Sequence, residues 1–308
     1  MINVLFAARP ERWSTYEAPL KTAFAARGLT VDLRQEFAPQ DVDYIVYAPN
    51  SPLQDFRPYT RCKAVLNLWA GVEKIVGNET LSQPLCRMVD PGLTQSMVEW
   101  VAGHVLRYHL QIDRCLACQD RWEPFVPPLA EERRVAILGL GALGQACADT
   151  LCHLGFNVSG WARTAKDIPP VSCHHGPEGL REVLSTADIV VLLLPDTPET
   201  LNILNAESLS WLPAGARIIN PGRGPLIDDS ALIAALDSGQ VAQATLDVFR
   251  VEPLPAGHPY WAHPQVTVTP HIAAETRPIT AARVIAENID RGEAGAPFLH
   301  EVDRSRGY

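Results

Sequence analysis

Short apolar runs alternate with longer stretches of helical spacing along nearly the whole chain. In the first hundred residues, "INVLFA" (2–7), "TVDLR" (30–34), "DYIVYA" (43–48) and "AVLNLW" (64–69) read as buried strands. "EAPLKTAFAARG" reads as a helix that ends at Gly28, a residue tolerant of positive φ. A long helical pattern then runs from Thr94 to Trp122 and stops at the proline-rich "EPFVPPLAEE". A second alternating series follows, with strands predicted in "RVAILGL", "NVSGWA", "DIVVLLLP", "ARIINP", "QATLDVF" and "QVTVTP". A helix over 277–292 and a tail, "VDRSRGY", close the chain. Such alternation implies parallel sheets covered on both faces. The last helix has no strand left to serve in the second series, so it is predicted to return to the first domain. This gives a discontinuous domain of 1–98 plus 277–308 and a second domain of 99–276. No repeat of fixed period and no low-complexity segment interrupts this organisation.

A chain of 308 residues is long enough for two such cores. With 47% hydrophobic and 20% charged residues it has the balance of a globular protein. No apolar run approaches the roughly 18 residues of a membrane helix. "MINVLFAARP" has no basic residues ahead of its apolar stretch and reads as a strand rather than a leader. A net charge of -9 argues against a nucleic-acid partner, because phosphate backbones are held largely by Lys and Arg. Seven cysteines without framework spacing point to a reducing cytoplasm. Cys115 and Cys118 form a C-x-x-C inside the long helical pattern with no second pair, and read as ordinary thiols. Adjacent His174 and His175 have no ligand cluster nearby and read as part of a solvated loop, so no metal site is expected.

"VAILGLGALGQACADTL" places Gly139, Gly141 and Gly144 in a G-x-G-x-x-G directly after a strand, with Ala142 and Leu143 opening a helix. The first glycine permits the tight turn, the second lets the backbone approach a pyrophosphate, and the third lets helix and strand pack closely. The helix N-terminus then offers free N–H groups and the positive end of its dipole. An NAD-binding unit carries Asp or Glu about 20 residues further on, to accept from the adenine ribose hydroxyls. Here Ala162 stands near that position, followed by Arg163, Thr164 and Lys166. Without the acid a 2′-phosphate meets no repulsion, and Arg163 with its neighbours supplies charge-assisted hydrogen bonds to it. The reading is NADP(H) in preference to NAD(H).

Three later stretches put polar groups just past strand ends, where open α/β sheets bind ligands. They are Arg223 in "IINPGRGPLID", Glu252 in "TLDVFRVEPLP" and His271 in "VTVTPHIAAETRP". A guanidinium grips a planar carboxylate and polarises the adjoining carbonyl. An imidazolium donates the proton that a nascent alkoxide needs, and a carboxylate beside it fixes its tautomer and favours its charged form. Such a trio suits reduction of a 2-oxo acid. Taken singly, an Arg in a loop or a His after Pro is as ordinary as a surface cation or a structural histidine.

From the glycine turn onward the chain resembles the D-2-hydroxyacid dehydrogenases, in "GLGALG", "DIVVLLLPDTPETLNILN", "NPGRGPLIDDSALIAALDSGQ", "LDVFRVEPLP" and "TPHIAA". "LWAGVEKI", "WART-K" and the tail "VDRSRGY" bring it nearest to the glyoxylate/hydroxypyruvate reductase A branch. The resemblance implies an α/β architecture of two doubly wound parallel-sheet domains, a Rossmann cofactor domain and a smaller flavodoxin-like substrate domain. It implies that Arg223 binds the substrate carboxylate and carbonyl, that His271 is the acid/base, and that Glu252 pairs with it. Backbone N–H groups around Ala70, Gly71 and Val72 then grip the second carboxylate oxygen. Cofactor contacts fall at Leu194, Pro195, Thr200, Pro221, Gly222 and Asp247, with Met97 beside the nicotinamide. Tyr47, at a strand end of the first domain, is either a pocket wall or an ordinary aromatic. Relatives pair through the region of the long helix, which implies a homodimer. The chain departs from the family at "PGR", where Ala or Ser commonly precedes the arginine, and at Glu73, where Asp is frequent; substrate identity is the part this leaves most open. A dinucleotide-sensing corepressor on the same fold is the competing expectation, while Glu252 argues against a formate dehydrogenase, whose pattern has Gln there.

Overall fold

The computed structural model describes residues 1–304. The chain divides into two compact units, residues 1–93 with the stretch from Glu275 onward, and residues 94–274; the sequence placed these divisions after residues 98 and 276. The first unit begins with β1 (Ile2–Ala7), α1 (Pro10–Ala26), β2 (Val31–Arg34), β3 (Tyr44–Tyr47), β4 (Ala64–Asn67) and the two-residue β5 (Leu85–Cys86). Its five strands are all parallel, in the order β2-β1-β3-β4-β5, the flavodoxin-like arrangement. β3 and β4 are buried at every position, so both faces of the sheet are covered, as continuous apolar runs demand. α1 starts at a proline in its first turn, seven residues ahead of the predicted start, and gives way to Gly28 at φ 69°. It buries Tyr16, Leu20, Ala23 and Phe24, one helical face. β5 was not predicted, because two residues carry no periodicity.

α2 (Pro91–His109) carries the chain into the second unit and is followed by α3 (Ile112–Ala117). The single helix expected over Thr94–Trp122 is therefore broken. Gln111 turns left-handed at φ 53°, the Arg107 side chain reaches across the corner to Asp113 at 2.6–3.0 Å, and Trp122 lies beyond both helices, 96% exposed. Apolar spacing continues through the corner, so the pattern alone does not reveal it. Next come β6 (Arg134–Leu138), α4 (Ala142–His153), β7 (Asn157–Ala162), β8 (Ser172–His175), α5 (Gly176–Thr186), β9 (Ile189–Leu192), α6 (Ala206–Ser210), β10 (Ala216–Asn220), α7 (Asp229–Asp237), β11 (Val241–Leu246) and β12 (Val266–Val268). These seven strands form one parallel sheet, β12-β11-β10-β9-β6-β7-β8. The strand order reverses between β6 and β9, the switch point at which doubly wound sheets bind ligands beyond their carboxyl ends. His174 and His175, expected in a solvated loop, instead belong to the edge strand β8, where His174 meets Glu182 at 3.2 Å. An edge strand with one exposed side gives no alternating apolar signal.

α8 (Pro278–Glu293) belongs to the first unit and packs on α1. Ala281, Ala282, Ile285, Ala286 and Ile289 join that unit's core, while Arg27 holds Glu287 and Asp290 at 2.8 and 3.1 Å. Beyond α8, Glu301 bridges antiparallel to Cys86 and the Arg304 guanidinium donates to the carbonyls of Val76, Asn78 and Leu81. The last four residues of "VDRSRGY", 305–308, lie outside the described residues. Among the described residues no helix is long and apolar enough to cross a membrane.

Candidate active site

The glycine turn ends β6 and opens α4, and each glycine is constrained differently. At Gly139, φ is 110° and a Cβ would lie 2.4 Å from the Leu193 carbonyl oxygen. A Cβ on Gly144 would sit 1.8 Å from the carbonyl oxygen of Gly139, so helix and turn touch backbone to backbone. Gly141 differs, because a Cβ there meets nothing within 4 Å. It is the N-cap of α4, and no side chain caps that end. The N–H groups that open α4 at Ala142 and Leu143 thus face a clear approach, which fits the pyrophosphate of a dinucleotide.

β7 ends at buried Ala162, and Arg163, Thr164 and Lys166 follow it exposed, with no carboxylate at the strand end. Glu199 lies below the usual carboxylate range, held there first by its own N–H, then by Thr197, and also by the charge of Arg163. The Leu194–Thr200 loop after β9 is tied by Thr200, whose hydroxyl donates to the Pro195 carbonyl (2.7 Å) and accepts from the Thr197 N–H (2.9 Å). Pro221 and Gly222 are buried after β10, and a Cβ on Gly222 would reach 2.7 Å from the Leu192 carbonyl oxygen. Met97 is buried in the same core cluster as Val101 and Ile219.

Arg223, Glu252 and His271 follow β10, β11 and β12. Buried Asn220 shapes the first loop, donating from Nδ2 to the Arg223 carbonyl (2.9 Å) and accepting at Oδ1 from the Gly222 N–H (3.1 Å). Arg223 also donates from Nη1 to the Gly222 carbonyl at 2.7 Å. Gly224 then lies so close to the second loop that a Cβ would be 2.0 Å from the Phe249 carbonyl carbon. In that loop the Phe249 N–H donates to Glu252 Oε1 (2.9 Å), and Glu252 Oε2 meets His271 Nδ1 at 2.8 Å.

His271 has a left-handed backbone, φ 55°, and its N–H donates to the carbonyls of Asp247 (2.9 Å) and Thr269 (3.1 Å). Fully buried Asp247 accepts three more bonds: at Oδ1 from the Thr269 hydroxyl (2.6 Å) and the Ile272 N–H (2.9 Å), and at Oδ2 from the Ala273 N–H (2.9 Å). The hydrogen bond to Glu252 raises His271 above the usual imidazole value, against burial and the charge of Arg223, which pull it down. Burial on its own raises Glu252, but the bonds from His271 and the Phe249 N–H, with the charges of His271 and Arg223, hold it below the usual carboxylate range. An ionised Glu252 can only accept, so His271 Nδ1 carries a proton and Nε2 is left for chemistry. Both side chains stay accessible, 50% exposed for His271 and 35% for Glu252. The charge of Arg223 reaches both.

In the first unit, Asn67 Nδ2 donates to the carbonyls of Trp69 (2.8 Å) and Gly71 (3.0 Å), shaping the loop of Ala70, Gly71 and Val72. Val72 is buried, while Ala70 and Gly71 are half-buried. Tyr47 is a core residue rather than a pocket wall: its ring packs edge-on against Phe56 and its hydroxyl donates to the Leu53 carbonyl at 3.2 Å. All seven cysteines are free thiols, Cys115 and Cys118 included. Among the described residues no group of three or more His, Cys, Asp or Glu is arranged to hold a metal. Asn67, Asn220, Gly224 and Thr269 were not singled out from sequence. Only the asparagines' place at strand ends, "LN" and "IIN", carried any signal.

Residues 103–273 match the family model described as D-isomer specific 2-hydroxyacid dehydrogenase, NAD binding domain. A curated relative, glyoxylate/hydroxypyruvate reductase A from Yersinia enterocolitica, is 41% identical over 279 residues, covering 87% of this chain and 88% of its own. A D-isomer specific 2-hydroxyacid dehydrogenase from Xanthobacter autotrophicus Py2, crystallised with NADPH and MES, is 43% identical with a TM-score of 0.93, covering 100% of this chain and 99% of that one. The NADPH-dependent glyoxylate/hydroxypyruvate reductase from Sinorhizobium meliloti, crystallised with NADP and sulfate, is 32% identical with a TM-score of 0.85, covering 100% of both chains.

Proposed function

The chain belongs to the D-isomer specific 2-hydroxyacid dehydrogenases, and from that premise we propose that it reduces small 2-oxo acids such as glyoxylate and hydroxypyruvate to 2-hydroxy acids with NADPH. The observation that carries the proposal is the His271–Glu252 pair at 2.8 Å with the charge of Arg223 acting on both. Arg223 binds the carboxylate and draws electron density from the adjoining carbonyl. His271, kept protonated by Glu252, gives its Nε2 proton to the carbonyl oxygen as that oxygen gains charge. Glu252 stays ionised throughout and holds the imidazole in place. The N–H groups of Ala70, Gly71 and Val72 take the second carboxylate oxygen.

When bound, the nicotinamide supplies the hydride that arrives at the carbonyl carbon. Gly139, Gly141, Ala142, Leu143 and Gly144 hold its pyrophosphate, and Arg163, Thr164 and Lys166 take the 2′-phosphate. Leu194, Pro195, Thr200, Pro221, Gly222, Asp247 and Met97 complete the cofactor's surroundings. The preference for NADPH is supported by the absence of a strand-end acid after β7 and by relatives crystallised with NADPH or NADP. Exposed Leu116, Trp122, Val126 and Leu129, close together in sequence, suit pairing of two copies. Seven free thiols suit a cytoplasmic setting.

NADPH oxidation followed with a panel of 2-oxo acids tests the reading. Turnover of glyoxylate or hydroxypyruvate, faster with NADPH than with NADH, is expected. Cofactor binding without turnover of any panel member would overturn it in favour of a dinucleotide sensor.

A further inference from the structure

Two loops of the second unit carry the proposed chemistry, 221–227 with Arg223 after β10 and 247–252 with Glu252 after β11. At Gly224 they touch backbone to backbone. Such a contact forbids closer approach but does not stop the loops from parting. Arg250, two residues ahead of Glu252, reaches back across that seam.

The Arg250 guanidinium donates from Nη2 to the Ile227 carbonyl and to Asn202 Oδ1, with the Pro225 carbonyl at 3.5 Å, and its Nε lies 3.6 Å from Asp229 Oδ2. Pro225, Ile227 and Asp229 continue the Arg223 loop into α7, and Asn202 is strapped to that continuation. The Asn202 N–H donates to the Pro225 carbonyl (2.9 Å), the Leu204 N–H to the Leu226 carbonyl (3.0 Å) and the Asp228 N–H to the Leu204 carbonyl (2.8 Å). Asp229 is fixed in turn, because its Oδ1 accepts from the hydroxyl of buried Tyr260 at 3.0 Å and its Oδ2 lies 3.8 Å from His258 Nε2. In the loop that Arg250 anchors, the Phe249 N–H holds Glu252 Oε1 at 2.9 Å, and the Phe249 ring lies 6.4 Å from that of Tyr260.

An exposed ion pair is worth little, and the Arg250–Asp229 approach at 3.6 Å would not by itself hold two loops together. Arg250 does more, because one planar fork serves acceptors on separate segments, and its side chain is 33% exposed rather than fully solvated. We infer that Arg250 is a positioning residue of the proposed reaction, clamping the Glu252 loop to the segment that follows Arg223. It thereby sets the spacing between the guanidinium that holds the carboxylate and the imidazole that gives the proton. The inference rests on the proposed reductase activity and deepens it by naming a residue that acts through Arg223 and Glu252.

Arg250→Met keeps an apolar stem and removes the fork. Its kcat/KM for glyoxylate with NADPH is expected to fall by about tenfold or more, since a misplacement of about 1 Å costs on the order of 10²-fold. KM should rise as kcat falls. A residue that only stabilised the fold would lower the active fraction, and with it the apparent kcat, while leaving KM in place. Arg250→Lys, with one ammonium instead of a fork, should stay impaired. Asn202→Gly removes one acceptor at a left-handed φ of 53° that glycine adopts without strain, and should show a smaller loss of the same kind. Joined to Arg250→Met it should add little, because the two act on one contact. An Arg250→Met enzyme within about threefold of wild type, an unchanged KM, full recovery in Arg250→Lys, or losses that multiply would overturn the inference. Hydrogen exchange read by mass spectrometry gives a measure independent of turnover. Peptides covering 221–229 and 249–253 should exchange faster in Arg250→Met than in wild type, with the rest of the second unit unchanged; equal exchange overturns the clamp. If the wild type reduces no 2-oxo acid, the reductase reading falls and the exchange result alone decides whether Arg250 joins the loops.

Discussion

Replacing Gly224 with alanine tests whether the spacing between two loops sets the active site. An added Cβ would stand 2.0 Å from the Phe249 carbonyl carbon and 2.4 Å from both the Phe249 oxygen and the Arg250 nitrogen. Carbon atoms rest about 3.5 Å apart, so the loops must part by about 1.5 Å (3.5 − 2.0). Every obstructing atom is backbone, and the Phe249 N–H is committed to Glu252, so no flexible side chain can absorb the move. The Arg223 loop shifts relative to the Glu252–His271 pair as a result. A misplacement of about 1 Å at reacting groups costs on the order of 10²-fold, or about 2.7 kcal/mol of barrier at 1.36 kcal/mol per decade. The expected Gly224→Ala enzyme therefore has kcat/KM for glyoxylate reduced about a hundredfold. Overpacking should also cost about 1–3 kcal/mol of stability, read in a thermal melt. NADPH affinity should fall less than kcat/KM, since the Gly139–Gly144 turn between β6 and α4 takes no part in this contact, although Pro221, Gly222 and Asp247 border it. A folded variant whose kcat/KM stays within about threefold of wild type would refute the reasoning, because the assumed tolerance at the reacting groups would then be wrong for this site.

Glu252→Gln removes what raises His271, so the imidazole loses its proton at lower pH and the basic limb of the reduction profile should move to lower pH; a stationary limb takes His271 out of the acid role. Arg163→Ala should weaken NADPH binding roughly ten- to a hundredfold, as for loss of a charge-assisted hydrogen bond, with NADH little affected. Equal losses for the two cofactors in titration would remove Arg163 from the 2′-phosphate. Asp247→Asn turns an amide NH₂ toward N–H or O–H donors that now meet a carboxylate, at a cost of about 1–3 kcal/mol. A melting temperature lowered by roughly 2–4 °C per kcal/mol checks it, and an unchanged one shows that the His271 turn does not depend on that carboxylate.

Much of the site was legible because it is written in local spacing. Gly139, Gly141 and Gly144 announce themselves within six residues, and Arg223, Glu252 and His271 each sit just past an apolar strand. What was not legible depends on contacts remote in sequence. Nothing near Gly224 indicates that Phe249 will lie against it, and nothing near Asp247 indicates that its carboxylate will gather Thr269, Ile272 and Ala273. β5 and β8 are too short or too polar to carry a period, and the corner at Gln111 interrupts a helix without interrupting its apolar spacing. Tyr47 was ambiguous for a related reason: position along a strand is readable, but in a doubly covered sheet both faces are apolar, so the side that faces a ligand is not.

The left-handed backbone of His271 shows how the parts depend on one another. A non-glycine residue at φ 55° is strained by about 1–3 kcal/mol and persists only where its surroundings fix it. Here the fixing comes from one residue at the end of β11, since the Asp247 carbonyl takes the His271 N–H and its carboxylate takes the groups on either side. Glu252 follows on that same segment five residues later. The imidazole, which follows β12, and its carboxylate partner, which follows β11, are therefore both tied to the end of β11. Arg223 belongs to the neighbouring strand, and its alignment comes through the Asn220↔Leu246 register, the Asp247 N–H on the Asn220 carbonyl (3.0 Å) and the Gly224 contact. Disturbing the β10–β11 seam should then misplace the guanidinium while leaving the proton donor intact. Substrate binding and the His271 titration are linked through Arg223, so withdrawing its charge should move the imidazole upward while the Glu252 hydrogen bond still holds it.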